Sequence, residues 1–440
     1  MFKRVAVKAV VTSAAVAFGF FATGAIADSS ALIEKLYEKG VLSDVEYKEL
    51  SSAAKEAGDP NELTGKWSGG FKWKTADGKN KFQVAGRIQQ DFYDYDHDLE
   101  EDTFNTRRVY LGVKATIDSL WKLEATFNPN ENVLEYGYLN FGPSKAVNVR
   151  FGAQKFYSGF EEGTSSRFTD FLERSMADGL QPGKSIGIQI FGEPVKKTLF
   201  YALGYYNGAG KNAPESGNNA DGKDSMFALA YNAAGLMDTT KDTIAHIGYS
   251  ASQGTRSTSG STRIHALDGP SRGDDFFNWI VTTGADDFSR DHNNLSVVLA
   301  RGPFKFQAEN TEVKVDTPGL NEKVEVKYMA FNWMITGEKY AAGYKMTGMN
   351  GLKPDSKFTK NGGTGAWEIG VRRGEWDGGN ATNQINADIQ VVKTTTIGVK
   401  WIPTPKVRFM LNHVTTNYDT PVVAASGDEK ALMFRSQIDF

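Results

Sequence analysis

No cysteine occurs in the 440 residues, so no disulfide can brace the fold, and thiol, zinc–thiolate and iron–sulfur chemistry are excluded. Histidine is nearly as scarce: His97, His246, His265, His292 and His413 are scattered without the close spacing of a metal site. Beyond the first segment, no apolar run approaches the roughly 20 residues that a membrane-crossing helix needs. A mean hydropathy of −0.41 would ordinarily mark a water-soluble chain. A closed β-barrel escapes that test, because strands of about 9 to 11 residues cross a bilayer with every second side chain facing lipid. The 28 Phe, 17 Tyr and 8 Trp would supply interfacial girdles, and the 46 Gly suit turns and crowded walls. No cofactor, metal or nucleic-acid partner is expected.

The first residues read as an export leader: Lys3, Arg4 and Lys8, an apolar run from Val10 to Phe21, and the small-residue cleavage site Ala25-Ile26-Ala27. Residues 1–27 are therefore assigned to a signal peptide, with the mature chain starting near Asp28. Residues 28–65 follow a helical period. Leu32, Ile33, Leu36 and Tyr37 form one stripe, Gly40 breaks it, and Ser43 with Glu46 is a capping box opening a second helix. This predicts a short periplasmic helical hairpin. The heptads do not persist over the three or four repeats that a coiled coil requires.

From Lys81 the period becomes two. Phe82, Val84, Ile88 and Phe92 fall on one face, with Lys81, Gln83, Arg87, Gln89 and Asp91 on the other. The alternation returns at 106–117, 121–128, 147–156, 185–191, 243–250, 294–301, 394–402, 406–414 and 432–440. Less regular strands fit at 133–141, 199–206, 225–231, 304–315, 324–336 and 366–373. The total of sixteen is even, as a closed single-chain barrel with both ends on one side requires. Residues 66–440 are thus expected to form an all-β, closed antiparallel transmembrane barrel. Short links such as 118–120, 142–145, Gly302-Pro303 and 403–405 alternate with long segments at 157–184, 207–224, 251–292 and 374–393, expected outside the cell or folded into the lumen. The 337–365 link is long yet falls on the short-turn side. At the carboxyl end, Leu432, Phe434, Ile438 and Phe440 share a face, and the terminal Phe440 resembles the signal read by the outer-membrane assembly machinery.

Three enzyme-like motifs lose their context. Gly183-Lys184-Ser185-Ile186-Gly187 matches a nucleophile elbow, but a strand follows it where a helix is needed, and no His–acid pair is placed to activate Ser185. The same run lacks the first Gly of a phosphate-binding loop, where Asp178 stands, and Gly208-Ala209-Gly210 lies in a polar loop outside any βαβ unit. No convergent acid, base and nucleophile set emerges, so no enzyme is expected. The acidic run from Asp94 to Asp102 lacks the Gly and final Glu of a calcium loop and reads as a solvated outer loop, open to cations that bridge lipopolysaccharide.

Several segments, in order, resemble the phosphate-selective porins of Gram-negative outer membranes. They are Gly86-Arg87-Ile88-Gln89, Arg107-Arg108, Gly163-Thr164-Ser165-Ser166, Phe171-Leu172-Glu173-Arg174-Ser175, Pro182-Gly183-Lys184, Gly302-Pro303-Phe304, Thr336-Gly337-Glu338, Gly365-Ala366-Trp367-Glu368, Ile397-Gly398-Val399-Lys400-Trp401 and Arg435-Ser436-Gln437. The family usually has Arg at Lys184, Asn at Lys400 and Tyr at Asn310. The resemblance implies a homotrimer of sixteen-stranded barrels in outer-membrane lipid, loop 157–184 folded inward as a constriction, and basic residues guiding phosphate or other small inorganic anions. A general diffusion porin on the same scaffold is the alternative.

A net charge of −3 argues against an anion channel, but the charge that matters is local. Strand parity turns Arg87, Arg108, Lys114, Lys122, Arg150, Lys305, Arg372, Lys400, Arg408 and Arg435 inward, against Asp91, Glu124, Glu135, Glu309, Glu368 and Asp439. Arg167, Arg174 and Lys184 on the inward loop are the constriction candidates. Each of these cations could instead be a wall salt bridge.

Overall fold

A computed structural model describes residues 29–440 apart from 58–61, 68–69, 97–100, 209–221, 238, 258–259, 274, 284–286, 318, 382–389 and 420–427. The leader and the centre of the acidic run lie outside the described residues. The described residues divide into two units, those up to 64 with 75–78, and 65–74 with those from 79 onward.

In the first unit, α1 (Ser29–Glu38) and α2 (Asp44–Ala57) form the expected hairpin. Gly40 takes the left-handed φ of +68° that ends α1. The capping box is made: Ser43 N–H donates to Glu46 at 2.9 Å, and Glu46 N–H to Ser43 Oγ at 3.4 Å. Tyr37 and Tyr47 stack at 4.3 Å across the two helices.

The second unit is a ring of sixteen strands. They are β1 (Lys81–Tyr95), β2 (Thr103–Ile117), β3 (Trp121–Asn128), β4 (Val133–Phe141), β5 (Asn148–Lys155), β6 (Lys184–Val195), β7 (Leu199–Tyr206), β8 (Asp224–Asn232), β9 (Thr243–Ser257), β10 (Asp287–Arg301), β11 (Phe304–Thr317), β12 (Leu320–Met334), β13 (Ala366–Asp377), β14 (Val391–Thr404), β15 (Val407–Tyr418) and β16 (Glu429–Asp439). Every strand pairs antiparallel with its sequence neighbours, and β16 closes on β1 with Phe434 opposite Phe92 and Arg435 opposite Asp91. Closure removes the sheet edges, which lipid could not hydrogen-bond.

The terminal residue locks the seam. Gly86 N–H donates to Phe440 O at 2.8 Å, and Phe440 N–H donates back at 3.1 Å. A side chain at Gly86 would put its Cβ 2.2 Å from the Phe440 ring, so the glycine is the niche that the ring fills. On the outside, Trp367, Trp401, Phe409 and Phe434 stack in a row at 5.5, 5.5 and 6.3 Å across β13 to β16, a section of girdle. Tight turns close the end that carries Phe440: Asp118 and Ser119 both take positive φ, 51° and 60°, in the three-residue link between β2 and β3.

Three inserts fill the lumen. The 156–183 segment between β5 and β6 enters from the long-loop end. Segment 251–292, expected as one long loop, instead extends β9 and β10 and carries a hairpin, Gly260–Asp268 with Asp275–Thr283. Its Phe276, Phe277 and Trp279 are wholly buried against Leu180, Val313, Val324, Val326 and Trp376. The 337–365 link enters from the turn end. Its Tyr340, Tyr344, Met346 and Met349 pack against Tyr157, Phe160 and the inner wall of β7 to β10. There it touches the first insert: Tyr157 Oη donates to Met346 O and Met349 N–H to Thr164 Oγ1, both at 2.8 Å. Apolar packing thus occupies the β7–β16 side and leaves open space along β1 to β6.

Candidate functional site

The open space is a cavity of about 650 Å³ between the 156–183 insert and the β1–β6 wall. Alternation along the strands supplies Arg87, Arg108, Lys114 and Arg150, the insert adds Arg167 and Arg174, and Lys184, expected on the inward loop, instead opens β6 opposite Lys155, against the parity of that strand. These are seven of the thirteen cations marked by sequence. Two further cations escape parity. Gln89 pairs with Arg108 and Gln90 with Thr106, so Arg107 is an extra residue in β2, and this bulge turns both arginines inward. In β5, Gly152 at φ +122° interrupts the pleat, and Lys155 beyond it joins the wall. A glycine in mid-strand was the one signal in the sequence for the latter. Nine cations against Glu124, Glu131, Glu162 and Asp178 leave an excess of five positive charges around the cavity.

The pairing of these cations divides them by role. Arg87 lies 4.4 Å over the Tyr110 ring and donates to Ser166 Oγ at 2.9 Å. Arg150 is held between Tyr138 and Phe191, at 4.3 and 4.7 Å. Among the described residues, neither has a carboxylate within 4.0 Å. Aromatic faces fix these guanidiniums without neutralising them. Others are paired: Lys114 to Glu124 at 2.9 Å, Arg167 to Asp439 at 3.6 Å, and Lys184 to Glu135.

The insert's own carboxylates are clamped by the wall. Glu173 receives Arg107 at 2.9 Å, Arg108 at 3.5 Å and Arg435 at 2.6 Å. Burial alone would push its carboxyl up, but the three guanidiniums hold it well below the usual carboxylate range. Glu162 takes Lys155 at 3.0 Å and Arg174 at 3.2 Å. Against its burial, those cations likewise hold it low, while burial and then the adjacent Glu162 push Asp178 up despite Arg174.

The other six predicted cations lie elsewhere. Lys305 grips Asp170 at 2.6 Å, Arg372 reaches Glu161 at 3.2 Å, and Lys400 pairs with Glu368 at 3.0 Å while donating to Thr169 O at 3.1 Å. Arg408 stacks on Phe168 at 4.6 Å, and Arg435 bridges Asp91 and Glu173, each at 2.6 Å. These five stand outside the cavity lining and hold the insert to the wall. Lys122 is exposed toward the turn end of β3.

Fixed cations in a lumen with low-dielectric walls raise the local concentration of anions. A closed ring, apolar outside and ionic around a central cavity, defines a channel protein of the outer-membrane barrel class. The chain belongs to the phosphate-selective porin O and P family, whose model matches residues 82–440. It is similar to Porin O of Pseudomonas aeruginosa, 25% identical over 431 residues, covering 87% of this chain and 93% of that protein. Among solved structures, OmpT of Vibrio cholerae matches with a TM-score of 0.53 at 9% identity, over 82% of this chain and 98% of that one. Salmonella typhi OmpF matches at 0.51 and 10%, over 85% and 100%. The protein is an outer-membrane porin.

Proposed function

We propose that this porin passes small inorganic anions, with phosphate or polyphosphate as its preferred cargo. The observation that carries the reading is the surplus of cations around the cavity, with Arg87 and Arg150 held ready by aromatic rings and, among the described residues, unpaired with any carboxylate. A guanidinium offers phosphate two parallel hydrogen bonds and never loses its charge, and Lys114 and Lys184 add point charges. Conduction also requires release, so several moderate sites in series serve better than one tight one. In this reading Arg87, Arg107, Arg108, Lys114, Arg150, Lys155, Arg167, Arg174 and Lys184 form the path, while Lys305, Arg372, Lys400, Arg408 and Arg435 shape it by holding the insert. Membership of a phosphate-selective family and likeness to Porin O support the choice of anion.

The same reading makes 1–27 a cleaved signal peptide, 28–65 a periplasmic helical segment, and 66–440 a barrel that assembles as a homotrimer in outer-membrane lipid and lipopolysaccharide, guided by Phe440. Reversal potential in a planar bilayer under a KCl gradient tests the pore: anion preference is expected, and cation preference would make it a general diffusion porin. Block of chloride current by added phosphate then tests the cargo.

A further inference from the structure

We propose that Glu309, on the inner face of β11 and outside the cavity, is the residue that sets the aperture, by pinning the first turn of the 156–183 insert. Its carboxylate is 4% exposed and accepts five hydrogen bonds. Oε1 takes Glu161 N–H at 2.6 Å, Tyr328 Oη at 2.8 Å and Gln307 Nε2 at 3.2 Å. Oε2 takes Phe160 N–H at 3.1 Å and Asn294 Nδ2 at 3.2 Å. Among the described residues no ammonium or guanidinium lies within 4.0 Å of it, in contrast to Glu162, Asp170 and Glu173. A buried carboxylate held only by neutral donors costs more than a paired one, so the fold retains it for what it grips.

What it grips leads straight to the cavity. The two backbone N–H groups belong to the turn Phe160–Gly163, which the chain enters through Gly159 at φ +120°. A Cβ at Gly159 would come within 2.8 Å of Glu309 Oε2, so a glycine is needed for the carboxylate to close on the turn. From the pinned turn, Glu161 ties across the insert to Ser175 N–H at 3.0 Å and to Arg372 at 3.2 Å. Glu162 ties to Arg174, which lines the cavity. Glu309 is a positioning residue: it touches no permeating ion and fixes the backbone that places Glu162 and Arg174. The ion pairs at Asp170 and Glu173 hold the middle of the insert, and Glu309 holds its hinge.

The test approaches the clasp from both sides. Glu309→Gln keeps the shape and replaces one acceptor oxygen by a donor that faces N–H groups, and Gly159→Ala, made on the insert side, drives a Cβ against the same carboxylate and its neighbour Asn294. Each full-length variant is checked for heat-modifiable barrel migration and reconstituted in planar bilayers. Both are expected to fold, to raise open-channel current noise several-fold, and to raise gluconate permeability relative to chloride. The double variant should be no worse than either single one, because both remove one interaction. Wild-type noise and size cut-off in either variant, additive effects in the double, or loss of the barrel in both would overturn the proposal. Anion preference is measured separately in KCl, and the size series runs with organic ions of either sign. The aperture assignment therefore stands or falls independently of the anion reading.

Discussion

Arg150→Gln is the sharpest perturbation of the anion path, because it removes a lumen cation that no carboxylate among the described residues neutralises. Arg150 is clamped by Tyr138 and Phe191 at 4.3 and 4.7 Å, so its charge is fixed in place before an ion arrives. An anion at about 4 Å from a unit charge gains about 1 kcal/mol at bulk-water dielectric and about 4 kcal/mol at an effective value near 20. The cavity is open to water and eight other cations share the load, so the low end applies. A loss of about 1 kcal/mol is roughly fivefold in affinity. Phosphate block of chloride current should weaken by about that factor, and the reversal potential should move toward zero. Arg150→Lys should keep the reversal potential but lose part of the phosphate block, since an ammonium lacks the planar fork. Lys400→Gln, which touches a Glu368 carboxylate and the insert backbone outside the cavity lining, should raise current noise and leave the block within about twofold. If Lys400→Gln abolishes block and Arg150→Gln leaves it intact, the division into path and tether cations is wrong.

Lys122→Gln, at an exposed site near the turn end, should change neither selectivity nor block in the same assay. Gly86→Ala forces a Cβ to within 2.2 Å of the Phe440 ring and should cost about 1 to 3 kcal/mol, read as a lower temperature for loss of heat-modifiable migration and slower assembly in vitro. Glu173 is depressed below its ordinary pKa of 4.5, so its clamp is fully present above that value and is lost as pH falls through the lower value of the folded pore. The noise that loss of the Glu173 clamp produces should therefore appear in the wild type only below the ordinary carboxylate range; wild-type and Glu173→Gln traces that coincide at about pH 5 would contradict the assignment. Glu173→Gln should bring that noise to neutral pH, because the buried Arg435 and the partly buried Arg107 and Arg108 would lose their shared anion.

The strand count was legible because water inside and lipid outside impose a period of two, and the sixteen predicted strands coincide with the sixteen observed. The six less regular strands carry information of their own. Five of them became β7, β8, β11, β12 and β13, and these line the packed half of the lumen, where Val313, Val324, Val326 and Trp376 face inserted segments instead of water. Part of their inner face is apolar because their lumen is filled, beside inward polar residues such as Lys305, Glu309, Glu368 and Arg372 that meet the inserts. Blurred alternation on neighbouring strands was thus a readable sign of the inserts, although nothing local showed that 260–283 and 337–365 supply them. Parity also located the inward cations of regular strands and failed where the pleat breaks, at the Arg107 bulge and beyond Gly152. It could not separate Arg150 from Lys400, since both point inward and only the fold of residues far along the chain decides which one meets a carboxylate. Glu309 was visible as one more inward acid; its role depends on two backbone N–H groups nearly 150 residues away, a contact without any pattern in the sequence.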